Sequence, residues 1–303
     1  MKVISLTRAL IVSIRPKQWT KNLIVYFAFL FTIHQAWDLK DLGLVASLFG
    51  KTTLAFLLFS LISGAVYVFN DIMDLEQDRQ HPKKKKRPIA SGKLPTTVAF
   101  GFASILALFS IVLSFILERN FGVASAVYLV VMVAYSLFLK RVALLDVMSI
   151  SSGFVIRAAA GAVVINVPIS PWLYVCTALG ALLIALGKRR NELETAGERS
   201  VEQRSVLREY SPHLLDQLIG IIAPATLVSY ILYTFTAEGL PSNHAMMLTI
   251  PFVVYGLFRY LFLIHKRNLG ESPEEILLTD KPLIADIGLW LVTAATVLLV
   301  FRT

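Results

Sequence analysis

The chain is short of several things that soluble proteins have. Its single cysteine, Cys176, sits inside an apolar block. One cysteine excludes an internal disulfide and carries no information about redox compartment. There is no soluble domain and no low-complexity linker, because apolar blocks recur to the last residues. Acidic residues are outnumbered, 20 against 29 basic ones, for a net charge of +9. No basic–aromatic array accompanies that excess, so nucleic-acid binding is not expected. Basic loops that stay on the cytoplasmic side and face anionic lipid account for it better.

What is abundant is apolar sequence. Hydrophobic residues make up 56% of the 303, where soluble domains hold about 45–50%. Mean hydropathy is +0.68. The excess is concentrated in runs such as Thr52–Phe69, Val98–Leu117 and Leu283–Phe301. Each approaches or exceeds the length of helix needed to cross a hydrocarbon core of roughly 30 Å. A secretory leader ahead of a soluble domain does not fit runs that continue to Phe301.

The pattern predicts an all-α integral membrane protein, one domain over residues 1–303, with nine transmembrane helices. They fall near residues 22–37, 50–69, 96–117, 121–139, 143–165, 171–187, 214–236, 245–264 and 283–301, the first being short. Pro224 and Pro251 lie inside two of them and predict kinks. With nine crossings and a cytoplasmic N-terminus, 23 of the 29 basic residues share one side. Only Lys40, Lys51, Arg119 and Arg302 fall on the other, while Arg157 and Arg259 lie within helices. The N-terminus is therefore expected inside and the C-terminus outside. The long loops, 70–95, 188–213 and 265–282, all fall on the inner side, which points to chemistry at the cytoplasmic face.

After the second helix, Asp71, Asp74 and Asp78 are spaced by three and four, with Asn70 beside them. On a helix this spacing stacks three carboxylates on one face. Mutual repulsion there is relieved by a divalent cation, and hard oxygen ligands favour Mg²⁺ together with a substrate phosphate. An ordinary solvated helix end is the alternative. A basic run, His81 to Arg87, follows, then Pro88 to Gly92. It either anchors the loop on lipid or supplies cations to an anionic substrate. Lys86 and Arg87 are favoured over Lys84 for the second role.

These two segments resemble the UbiA superfamily of intramembrane prenyltransferases. Its N-D-x-x-D-x-x-x-D signature is present in full from Asn70 to Asp78, and Arg87 to Gly92 matches its R-P-I-A-S-G. Tyr135-Ser136 with Lys140-Arg141 is similar as well, and the resemblance spans essentially the whole chain. It implies the nine-helix fold of that family. One departure stands out. The second aspartate motif of typical members, D-x-x-x-D after the sixth helix, is missing, and Gly187-Lys188-Arg189-Arg190-Asn191-Glu192-Leu193-Glu194 stands in its place. Three cations suit a phosphate gripped directly, without a bridging metal. That variant resembles the branch that moves phosphoribosyl groups onto polyprenyl (decaprenyl-type) phosphates. Arg15 to Asn22, Gly187 to Leu193 and Gly270 to Ile276 are similar to it too.

The resemblance implies 5-phosphoribosyl diphosphate as donor, a polyprenyl phosphate as acceptor, and inversion at ribose C1. Asp71, Asp74 and Asp78 would hold Mg²⁺ on the diphosphate, with Asn70 nearby. A phosphate acceptor is already anionic near neutral pH, so no strong base is required, and His81 reads as structural. Lys17, Gln18 and Lys21 before the first helix, and Lys188, Arg189 and Arg190 after the sixth, are candidates for two monophosphates or for positive-inside anchoring. Glu192 binds a ribose hydroxyl or pairs with Lys188. Arg157 is a ligand of the acceptor phosphate or half of an interhelix pair. Asp146, three turns earlier on the same helix face, is too far to reach it. Arg259 snorkels outward. Tyr135 faces the cavity mouth or is an interfacial aromatic. Two other functions compete: prenyl transfer to an aromatic or lipid acceptor, and transport of anionic solutes. Charge crowded on one face, with no inverted repeat, disfavours transport.

Overall fold

A computed structural model describes residues 2–168, 170–196, 205–266, 276 and 279–302, the side chains of 2–5, 195, 196 and 205 excepted. The regular structure among the described residues is helical, apart from an isolated bridge between Ile33 and Trp37. Helices α1 (Lys2–Ser13), α2 (Phe27–Phe31), α3 (Leu42–Met73), α4 (Leu75–Gln80), α5 (Thr96–Leu117) and α6 (Arg119–Leu137) make up the first half. Helices α7 (Leu145–Val164), α8 (Pro171–Ala196), α9 (Pro212–Thr236), α10 (Ile250–Lys266) and α11 (Lys281–Phe301) make up the second. Eight helices among the described residues are long and apolar enough to cross a membrane. Their outward faces carry bare apolar side chains, such as Ile105 at 71% and Ile116 at 73% exposure on α5. In water that would be an aggregation surface, whereas in lipid it is the expected exterior.

The segment predicted as a helix over residues 22–37 is built differently. A run of 3-10 turns covers Pro16–Tyr26, and α2 ends at Phe31. Pro16 begins the run, where its missing N–H costs nothing. Helix α7 packs against this run. Gly161 presents bare backbone to this segment, and a Cβ there would stand 2.1 Å from the Val25 carbonyl oxygen. Beyond α2 the chain reverses through the Ile33–Trp37 bridge, where Trp37 stacks on Phe29 with ring centroids 4.6 Å apart. The run and α2 together rise roughly 30 Å, close to a hydrocarbon thickness.

Pro251 lies inside the helical span Ala245–Lys266, at the second residue of α10, where a 3-10 turn over Ala245–Thr249 passes into α-helix. Pro224 lies inside α9.

Helix α3 positions the acidic motif. Asp41 caps it by accepting from the Leu44 N–H, and its 32 residues rise about 48 Å, well beyond the apolar thickness. The surplus turns carry Asn70 and Asp71 past the apolar layer. At Asp74 the helix bends and restarts as α4, so the three aspartates straddle a kink rather than lining one straight helix. Of four apolar clusters, the two largest lie one across the 3-10 run, α3, α6 and α7, and the other across α7, α8, α9, α10 and α11.

Candidate active site

A cavity of about 2100 Å³ opens between these two clusters. One end is polar, lined by Arg15, Gln18, Lys21, Asn70, Asp74, Asp78, Arg87, Tyr135, Lys140, Lys188, Arg189 and Glu192. The body is apolar and aromatic, with Phe27, Phe31, Tyr230 and Trp290 on its wall. At the far end Arg302 is buried and donates to the Phe31 carbonyl at 2.8 Å.

Each aspartate of the motif meets a basic side chain from another segment. Asp71, 2% exposed, accepts from both Arg15 and Arg87 on its Oδ1. Asp78, equally buried, accepts from Arg87 at 2.5 Å. Asp74 accepts from Lys140 at 2.5 Å on Oδ1 and from the Asn70 amide at 2.9 Å on Oδ2. Lys140 also donates to the Asn70 carbonyl oxygen at 3.2 Å. Three carboxylates are thus matched by three cations. Arg15 reaches the motif because its own backbone is left-handed, with φ of 50°, at the turn between α1 and the 3-10 run. Its guanidinium lies 5.0 Å over the Tyr67 ring.

Among the described residues no three acidic, histidine or cysteine side chains converge on one point. The donor chemistry nonetheless fits Mg²⁺, which usually takes one or two carboxylates and completes its shell with water and substrate phosphate. Asp74 and Asp78, both on the cavity wall, supply that number of hard oxygen donors, while Asp71 lies behind them.

The opposite wall is the end of α8. Arg189 is fully buried, donating from Nε to Asp146 and from Nη1 to Glu192, both at 2.6 Å. Arg190 pairs with Asp216 and, at 2.7 Å, with Glu194. Asp146, on the first turn of α7, also accepts from the Tyr210 hydroxyl at 2.6 Å. That hydroxyl in turn accepts the Leu144 N–H at 2.8 Å. Burial, reinforced by the Asp146 carboxylate, pushes the Tyr210 hydroxyl well above its usual pKa and keeps it a donor.

Arg157 forms a third network, deeper in the bundle. It donates to Asn22 Oδ1 at 2.7 Å and to the Tyr128 hydroxyl at 2.6 Å, with its guanidinium over the Tyr128 and Phe154 rings. Asn22 and Tyr128 both meet Ser63, eight residues before Asp71 on α3 and so about 12 Å away along the helix. Arg157 therefore ties the 3-10 run to α6 and α7, and it also lines the cavity.

Of the residues picked from sequence, Gln18, Lys21, Asn70, Asp74, Asp78, Arg87, Tyr135, Lys140, Arg157, Lys188, Arg189 and Glu192 share the one cavity. Lys17 and Lys86 do not: both are exposed and absent from its wall, whereas Lys83 and Lys84 line it. Asp71 is buried behind the wall. Arg259 pairs with Asp280 at 2.8 Å instead of only reaching outward. The stretch Gly270 to Glu275, and Arg199, Arg204 and Arg267 of the charge tally, lie outside the described residues. Sequence reasoning passed over Arg15, although it heads the Arg15 to Asn22 motif, and it did not connect Asp146 with Arg189.

Residues 22–277 match the model of the UbiA prenyltransferase family. A decaprenyl-phosphate phosphoribosyltransferase of Mycolicibacterium smegmatis is 36% identical over 290 residues, covering 92% of this chain and 89% of that protein. A protein of the same name from Mycobacterium tuberculosis is 32% identical, covering 95% and 94%. Among solved structures, a UbiA homologue from Archaeoglobus fulgidus bound to GPP and Mg²⁺ superimposes with a TM-score of 0.73 at 17% identity. That match covers 95% of this chain and 99% of the other.

Proposed function

Because the chain belongs to the UbiA prenyltransferase family, with relatives named as phosphoribosyltransferases, we propose that it is a membrane phosphoribosyltransferase. It moves the 5-phosphoribosyl group of 5-phosphoribosyl diphosphate onto a polyprenyl phosphate and releases diphosphate. The observation that carries this reading is the α8 wall. Where a prenyl-diphosphate enzyme would present a second pair of metal-binding aspartates, this chain presents Arg189 and Arg190 locked into ion pairs, and Glu192. Only the acidic motif between α3 and α4 is left to serve a diphosphate.

Asp74 and Asp78, backed by Asp71, would hold Mg²⁺ at the donor's diphosphate. The metal supplies stabilisation of charge developing on the leaving group. Arg87, Lys140 and Arg15, which pair with the aspartates in this structure, are placed to turn onto phosphate oxygens as the aspartates turn to the metal. Gln18 and Lys21 approach from the 3-10 run, and Lys188 from α8. The acceptor's phosphate oxygen attacks C1 from the face opposite the leaving group, so C1 inverts. That oxygen is anionic near neutral pH, and no residue need act as base. The acceptor's chain lies along the aromatic body of the cavity, past Phe27, Phe31 and Trp290, which also keeps water from C1.

The chain crosses the membrane nine times, with Pro16 to Phe31 as the crossing beyond the eight long helices, and forms one domain over residues 1–303. Its N-terminus and the polar end of the cavity face the cytoplasm, as the distribution of basic residues supports.

The test is direct. Purified protein receives labelled 5-phosphoribosyl diphosphate, a polyprenyl phosphate and Mg²⁺, and lipid-linked phosphoribose is the expected product. Absence of that product, with transfer of a prenyl group from a prenyl diphosphate instead, would replace this reading with prenyl transfer.

A further inference from the structure

Arg189 leads the fully buried side chains in size, and its charge is already committed. Asp146 takes its Nε edge and Glu192 its Nη1 edge. Around the end of α8, the cations Lys188, Arg189 and Arg190 are set against the four carboxylates of Asp146, Glu192, Glu194 and Asp216. A phosphate brought to this wall meets Glu192, a carboxylate, at the cavity surface. Like charges repel, and a doubly charged phosphate has better partners on the α3 side. A hydroxyl meets something different there: an ionised acceptor held in one position by a buried arginine.

We infer that Glu192 reads the hydroxyl groups of the donor's ribose, and that Asp146 and Tyr210 are positioning residues that fix it through Arg189. The inference rests on the phosphoribosyl transfer proposed above and assigns the sugar to the α8 wall. Neither Asp146 nor Tyr210 lines the cavity, so neither touches the substrate. Three chain segments meet at Asp146, which is 0% exposed: the turn into α7, the end of α8 and the segment that follows α8. The turn is held against its own preference. Leu144 has a φ of 65°, unfavourable for a leucine, and its N–H is tied to the Tyr210 hydroxyl. Asp146 then divides its two oxygens, Oδ1 to Tyr210 and Oδ2 to Arg189. With Asp146 ionised, Arg189 is shared between two carboxylates, and Glu192 keeps most of its strength as an acceptor. With a neutral residue at 146, the whole guanidinium charge falls on Glu192.

The experiment uses the full chain in lipid nanodiscs with Mg²⁺, measuring KM for donor and acceptor separately. The donors are 5-phosphoribosyl diphosphate and its 2-deoxy counterpart. E192Q removes an ionised acceptor, and hydrogen bonds to charged groups correspond to a loss of about 10- to 150-fold in kcat/KM for the donor. Its preference for the ribo over the deoxy donor should fall by at least about tenfold on the same grounds. D146N, which keeps the shape, should raise donor KM several-fold, and Y210F should raise it less, while acceptor KM stays within about twofold of wild type. A merely structural role would move both KM values together. If D146N elutes as aggregate, E192Q and Y210F still decide the matter. Unchanged donor KM and unchanged ribo/deoxy preference in folded E192Q overturns the inference and leaves phosphoribosyl transfer standing. A wild-type protein that transfers no phosphoribose removes both.

Discussion

Gly161 on α7 tests whether the 3-10 run is placed by backbone contact. An alanine Cβ there would lie 2.1 Å from the Val25 carbonyl oxygen, 2.8 Å from its carbonyl carbon and 3.0 Å from its Cα. Non-bonded heavy atoms rest near 3.5 Å, so the two backbones must separate by about 1 Å or more. No flexible side chain is available to give way. Overpacking of this kind costs about 1–3 kcal/mol, and the rigidity of both partners puts it at the upper end. The roughly 1 kcal/mol that alanine gains over glycine in a helix offsets part of this. Gly161→Ala should therefore lose about 2 kcal/mol net. Activity should suffer as well, because the displaced run carries Gln18 and Lys21 to the cavity and Asn22 to Arg157. A misplacement of about 1 Å can cost about 100-fold in rate. Gly101 on α5 is the matched control: nothing lies within 4 Å of a Cβ there. Gly101→Ala should leave the thermal midpoint in detergent unchanged or raised, with full activity. A Gly161→Ala protein that melts with the Gly101→Ala protein and retains full turnover would refute backbone contact as the cause.

Three further outcomes follow from the same geometry. Asp74→Ala removes a cavity-wall carboxylate whose side chain is 26% exposed, so turnover should vanish while the elution profile and melting midpoint stay near wild type. Lys140→Met frees Asp74 from its cation. The Mg²⁺ concentration for half-maximal activity should fall while kcat drops at least about tenfold, seen in a metal titration of initial rates. Asp216→Asn breaks only one of two carboxylate contacts to Arg190, and Asp216 is 40% exposed. Its cost should stay below about 1 kcal/mol in denaturation, and a larger loss would mean that the α8–α9 pair bears more of the fold than its exposure suggests.

The long spans were legible because a run of some twenty apolar residues admits few alternatives, and α5 and α11 fall where hydropathy places them. The acidic motif was legible because its spacing is local. Its counter-ions were only partly so. Arg87 is nine residues from Asp78, but Arg15 is 56 from Asp71 and reaches it through one left-handed residue. The 3-10 run is invisible to a helical pattern, and the bare backbone it packs against, at Gly161, lies on another helix. Asp146 and Arg157 both stood out as polar residues within one apolar helix. Each is satisfied by a different neighbour, Arg189 across 43 positions and Asn22 across 135. Periodicity tells which residues share a face, but not what the face meets.

The two walls also differ in what they allow a substrate to do. At the acidic motif each aspartate pairs with a cation from another segment, and Asp74 and Arg87 line the cavity. Such pairs could exchange, the carboxylates passing to a metal and the guanidinium and ammonium groups to phosphates, with no charge left alone in a low dielectric. Exchange avoids the desolvation cost that makes an isolated buried charge so unfavourable. At the α8 wall Arg189 touches the cavity but is only 1% exposed, and its partner Asp146 is 0% exposed and off the wall. It is fixed, and it fixes Glu192. A diphosphate that must be gripped and released belongs with pairs that exchange. A sugar that must be held in one orientation while C1 inverts belongs with a pair that does not.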